Sequence, residues 1–137
     1  MKIPKFEAQT EWVKPTEFPD LRKVDEIAID LETKDPDLIK KGSGSVIGNG
    51  DVIGIAVATK HYKGYFPIGH EGGGNMDRQR VLGWLKDILD SPSTKIFHNA
   101  MYDVCWLRAL GFKINGDIVC TMIAAAITDE NRFRYDL

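Results

Sequence analysis

Apolar positions along the chain fall into short blocks whose spacing changes from one to the next. Residues 26–31, Glu-Ile-Ala-Ile-Asp-Leu, are near-continuously apolar, which predicts a central strand buried on both faces. Residues 52–59 and 64–68 are two further strand-like runs joined by a turn at 60–63, the pattern of an antiparallel hairpin. Val81, Leu82, Leu85, Ile88 and Leu89 recur at helical spacing, so a helix is expected from an N-cap at Asn75 to about Asp90. Ser91-Pro92 ends it. Residues 94–98 read as a short buried strand, 99–110 as a helix stopped by Gly111, and 112–114 as another small strand. Asp117 is the expected cap of a last helix to about Ile127, followed by ten polar residues.

The connecting segments complete the outline. Residues 1–23 hold three of the six prolines and read as an extended leader, anchored by Trp12, Phe18 and Leu21, ahead of a domain over 24–137. Gly42, Gly44, Gly48 and Gly50 among polar spacers predict a long mobile loop within 33–51. The order is three strands, helix, strand, helix, short strand, helix. It predicts an α/β fold, a mixed sheet of an antiparallel three-strand meander plus parallel strands flanked by helices. That order matches the ribonuclease-H-like architecture, short of a terminal helix.

Composition narrows the class without naming a function. A chain of 137 residues with 43% hydrophobic and 28% charged positions is an ordinary single globular domain. No apolar run approaches the ~18 residues of a membrane span. The first residues lack the apolar core of a signal peptide, so a cytoplasmic location is expected. Cys105 and Cys120 read as buried thiols rather than a disulfide or zinc site. A net charge of −2 argues against a protein that grips duplex DNA by its phosphates. It leaves room for an enzyme acting on a short single-stranded end, where bound cations supply positive charge locally.

The chemistry concentrates in a few acids. Side chains alternate along a strand, so Asp30 and Glu32 share one face near its C-terminal end, where open sheets bind ligands. Two carboxylates this close repel, and a divalent cation removes the cost. The plainer alternative is that the strand stops at Asp30 and both acids are solvated. On the helix, Asn99, Asp103, Leu107 and Leu110 fall on one side, which puts a carboxylate at the head of an apolar stripe. Asn99 as N-cap and Asp103 as a first-turn acid is the alternative there, and it is compatible with metal binding. The glycines at 42–50 lack the Gly-Lys-Ser/Thr of a phosphate loop. His61, His70 and His98 are spaced like neither zinc ligands nor a catalytic triad.

Asp30-x-Glu32 and Asn99-x-x-Tyr102-Asp103 resemble the first two exonuclease motifs of the DEDD 3′–5′ exonucleases. Ile29-Asp-Leu-Glu-Thr33, Val52-Ile-Gly-Ile-Ala-Val57, Gly64-Tyr-Phe-Pro-Ile-Gly-His70 and Asp117-Ile-Val-Cys-Thr-Met122 follow in the order seen in the proofreading domain of family A DNA polymerases. The chain is similar to phage-type members over residues 24–137. By that resemblance Asp30, Glu32 and Asp103 are catalytic metal ligands for two Mg²⁺ or Mn²⁺ ions, Asn99 orients the Asp103 end of the site, and Thr33 contacts the terminal nucleotide. The substrate implied is a single-stranded DNA 3′ end, and the implied partner is a polymerase domain.

The family's third motif, Tyr-x-x-x-Asp, has no counterpart here: Tyr135-Asp136 has the wrong spacing and Asp117 reads as a cap. The expectation is thus a C-terminally incomplete exonuclease domain with three acids instead of four. Such a domain should be weak or inactive alone and prone to self-association through an uncovered apolar face. Two rival readings are a DEDD exoribonuclease of the ribonuclease D kind and an inactive nuclease-like binding module.

Overall fold

Ile27, Ile29 and Leu31 are buried along one face of strand β1 (Glu26–Lys34), while Ala28, Asp30 and Glu32 on the other face stay half or fully exposed. This computed structural model describes residues 11–137. The expectation of a strand buried on both faces is therefore corrected: only one side of the central strand is covered by packed side chains. β1 extends past the predicted end at residue 31, with an irregularity in register between Glu32 and Thr33.

The remaining elements are α1 (Leu38–Lys41), α2 (Gly44–Ile47), β2 (Asp51–Ala58), β3 (Lys63–Pro67), α3 (Arg78–Asp90), β4 (Thr94–Phe97), α4 (Ala100–Ala109), β5 (Ile118–Cys120) and α5 (Thr121–Thr128). The sheet runs β3-β2-β1-β4-β5. β1–β2 and β2–β3 are antiparallel, β1–β4 and β4–β5 parallel, so the expected meander plus parallel half is present. Both crossovers, β3-α3-β4 and β4-α4-β5, step in the same direction across the sheet. Right-handed connection then puts α3 and α4 on the same face. They share a single core: Val81, Leu85, Ile88 and Leu89 of α3 and Val104 and Leu107 of α4 pack with Ile27, Ile29, Ile55, Phe66 and Phe97.

Four expectations are corrected. The cap of α3 is Asp77, whose side chain accepts from the Arg80 N–H, and not Asn75. No strand forms over 112–114; the fifth strand is Ile118–Cys120, where Asp117 was expected to start a helix. Lys95 N–H donates to the Asp117 carbonyl at 2.8 Å, and that ladder bond draws the segment into the sheet. The glycine-rich stretch is a folded segment of two short helical turns with Gly44 buried. Within the leader, Phe18 stacks on Phe66 at 5.9 Å, Leu21 is buried, and Trp84 Nε1–H donates to the Pro19 carbonyl. Trp12 is more exposed, edge-on to Tyr65 at 6.0 Å, and residues 1–10 of the leader lie outside the described residues.

The face opposite α3 and α4 carries small side chains. Ala28 pairs with Ala58, and Asp30 with Ala56. Residues 11–16 border an open groove of about 910 Å³ on it, lined by Trp12, Lys14, Asp30, Ala56, Lys63 and Tyr65 among others. The floor beside Asp30 is thus open enough to admit a ligand.

Candidate active site

Asp103 is 3% exposed, on the buried face of α4 beside Ala100, Val104, Trp106 and Leu107. An ionisable group in such surroundings is costly unless something compensates it. Its Oδ2 has no hydrogen-bond partner. Burial first, then the charge of Asp30, push its pKa up to about 7; a hydrogen bond from the Leu31 backbone works against them, and Glu32 adds to the rise. The carboxyl of Asp103 therefore sits in the field of both β1 acids. The strand end and the helix start do meet.

The ion pairs among the described residues involve none of these three acids. Asp30 and Glu32 thus bring negative charge to β1 with no ion-paired cation among the described residues. As they stand, no three His, Cys, Asp or Glu side chains among the described residues are close enough together to hold an ion. The donor set nonetheless fits a divalent cation in kind: hard carboxylate oxygens, one buried and unsatisfied, whose mutual repulsion an ion would relieve.

Of the two other residues singled out by sequence, Thr33 has a side-chain partner. Asn99 occupies the position before α4 with φ 59° and ψ 58°, the only non-glycine among the described residues with positive φ. Asparagine tolerates that conformation better than most residues. Its side chain makes no capping bond; the Ala100 N–H at the helix start instead donates to Cys120 Sγ at 3.4 Å. Asn99 is exposed. Thr33 Oγ1 lies 2.8 Å from the Tyr102 hydroxyl, which donates to Asp35 Oδ2 at 3.0 Å. Because Tyr102 spends its hydrogen on Asp35, Thr33 is the donor to Tyr102. The Asp35 carboxylate also accepts the Gly44 N–H at 3.0–3.1 Å.

Asp35 escaped the sequence reading as part of the site, as did the approach of Tyr65 to the β1 acids. Asp35 ties the glycine-rich segment to Tyr102, the neighbour of Asp103. Burial, and then the charge of Glu32, raise the pKa of the Tyr65 phenol, which places Tyr65 beside the β1 acids. The available signal was Gly54, a glycine inside a strand, which marks a close approach by another group.

Comparison with known proteins places the chain in a family. The 3′–5′ exonuclease model of the DNA polymerase A family matches residues 17–136. A DNA-directed DNA polymerase of Pseudomonas phage M6 is 41% identical over 114 residues, covering 76% of this chain and 16% of the relative. DNA polymerase I of Chloroflexus aurantiacus is 32% identical over 89 residues, covering 64% of this chain and 9% of the relative. The chain thus spans about a sixth of the phage relative's length. Among solved structures, Brucella melitensis NrnC with bound Mg²⁺ superposes with TM-score 0.58 at 23% identity, covering 86% of this chain and 52% of that one. Pol1 from M. smegmatis in complex with DNA primer-template and dNTP gives TM-score 0.58 at 14% identity, covering 91% and 20%. These two share the ribonuclease-H-like exonuclease fold. On the matched family model and the polymerase relatives, the chain belongs to the 3′–5′ exonuclease family of family A DNA polymerases.

Proposed function

We propose that this chain removes 3′-terminal nucleotides from single-stranded DNA ends by metal-assisted hydrolysis, as the proofreading part of a DNA polymerase. The observation that carries the reading is Asp103, a buried carboxyl with an unsatisfied oxygen in the field of Asp30 and Glu32. Asp30, Glu32 and Asp103 would hold Mg²⁺ or Mn²⁺, which when bound supplies the charge that activates water and stabilises the leaving 3′ oxygen. Asn99, exposed beside the α4 N-terminus, faces the substrate phosphate. Thr33, fixed by Tyr102, lines the path of the terminal nucleotide.

No helix among the described residues is long and apolar enough to cross a membrane. The similarity to a phage DNA polymerase supports action in the host cytoplasm. The partners are the DNA end and a polymerase domain. Ile123, Ile127 and Phe133 are exposed near the C-terminal end of the chain, and this apolar surface favours self-association in their absence.

The test is degradation of 5′-labelled DNA and RNA single strands with Mn²⁺. Stepwise loss from the DNA 3′ end, abolished by Asp30→Asn and Asp103→Asn, is the expected result. Preference for RNA would favour a ribonuclease D-type enzyme. No cleavage together with no Mn²⁺ binding would leave only a binding module.

A further inference from the structure

Tyr65 projects over the one cross-strand neighbour of Glu32 that has no side chain. Glu32 pairs with Gly54 across β1 and β2, and a Cβ on Gly54 would fall 1.9 Å from the Tyr65 hydroxyl. The glycine leaves the room that the phenol occupies. Tyr65 itself pairs with Ala56, which is the partner of Asp30. Its ring therefore starts in the Asp30 row and delivers its hydroxyl to the Glu32 row.

The hydroxyl is also held from outside. Tyr65 Oη is hydrogen-bonded to His70 Nε2, with the two rings 5.9 Å apart at 68°. The backbone of His70 is fixed in turn: its amide N–H donates to Asn75 Oδ1 at 2.8 Å, and its carbonyl accepts from Asn75 Nδ2 at 2.8 Å. The N–H groups of Ile68 and Gly69 both donate to the Ile53 carbonyl, which pins this loop to β2.

We propose that His70, Tyr65 and Glu32 form a hydrogen-bond relay in which Tyr65 is a positioning residue that aims Glu32 at the cation it shares with Asp30. The inference rests on the metal-dependent reading given above. Electrostatics set the direction of the relay. A carboxylate beside the phenol favours the tautomer in which His70 Nε2–H donates to the Tyr65 oxygen, freeing the phenolic hydrogen for Glu32. A metal ligand oriented by such a partner is pre-aimed, and losing the partner weakens metal affinity.

The test is calorimetric titration of Mn²⁺ into the full chain and into Tyr65→Phe, which keeps the ring and its contact with Trp12. Binding about ten-fold weaker in Tyr65→Phe is expected. A similar loss should follow in His70→Leu, with recovery in His70→Gln, whose amide restores an N–H donor. A purely structural role would instead lower the unfolding temperature and leave Mn²⁺ affinity intact. Nitrogen-15 shifts of His70 at pH 8 in metal-free protein add a readout independent of the ion, with the Nε2–H tautomer expected. Equal affinity in Tyr65→Phe and the parent, or an Nδ1–H tautomer, overturns the relay and leaves the carboxylate site standing. Absence of Mn²⁺ binding by the parent overturns both.

Discussion

Asp103 on α4 is kept from ionising by its burial and by the negative charge of Asp30 on β1. The two residues belong to different elements, and the fold alone brings them into one electrostatic field. A protein that stores repulsion in this way should reveal it as a dependence of stability on pH and on cations.

In metal-free protein the pKa of Asp103 is raised from 3.8 to about 7. Between those values the folded state retains a proton that the unfolded state has released. Stability from this group is therefore full below about pH 4 and falls as pH rises toward 7, by up to about 1.4 kcal/mol per pH unit. Urea unfolding in EDTA at pH 5, 6, 7 and 8 should show the decline. Asp103→Asn should flatten it. An unchanged slope in that variant would show that Asp103 is not the source.

The Asp35 carboxylate and the Tyr102 hydroxyl fasten the glycine-rich segment. Tyr102→Phe removes the bonds to Thr33 and Asp35, and a cost of about 1–3 kcal/mol is expected. Gly44→Ala should be worse, since its Cβ would lie 1.7 Å from the Asn49 carbonyl oxygen. Hydrogen exchange should then show lost protection over residues 38–49 while β1, β2 and α3 stay protected. Protection retained in both variants would mean that the segment is held by other contacts.

These examples show which parts of the fold were readable from the chain alone. β1, β2, β3, α3 and α4 carry their own periodicity, and each was anticipated to within a few residues. The acids of β1 and α4 were readable because alternation and helical spacing assign a face without knowledge of packing. What failed depended on distant partners. Ile118–Cys120 becomes a strand only because β4 offers a ladder, and in isolation Asp117 looks like a cap. Gly44 reads as a flexible position until Asp35, nine residues earlier, accepts its N–H. Asn75 has cap chemistry but spends it on His70, leaving Asp77 to start α3. The open face of β1 was missed because alanines on a strand count as apolar whether or not anything covers them.

Lys95 is fully buried on β4, and its ammonium is satisfied by the carbonyls of Ser91 and Asn115, the latter at 2.7 Å. Burial lowers its pKa, opposed by the charge of Asp90. Lys95→Met strands both carbonyls, so thermal unfolding should report a loss of about 1–3 kcal/mol. A gain in stability would show that desolvation of the charge outweighs its hydrogen bonds.

Ile118, Val119, Ile123 and Ile127 leave β5 and α5 with an uncovered apolar surface. Light scattering across a concentration series should show dimers or larger species, reduced in Ile123→Glu. A monomer at every concentration would remove self-association from the account.

The proposed reaction requires Asp30, Glu32 and Asp103 to share divalent cations. Anomalous scattering from crystals grown with Mn²⁺ tests it directly. A peak is expected within coordination distance of Asp30 and at least one of the other two carboxylates, lost in Asp30→Asn. Mn²⁺ bound elsewhere, with these three carboxylates free of it, would contradict the account.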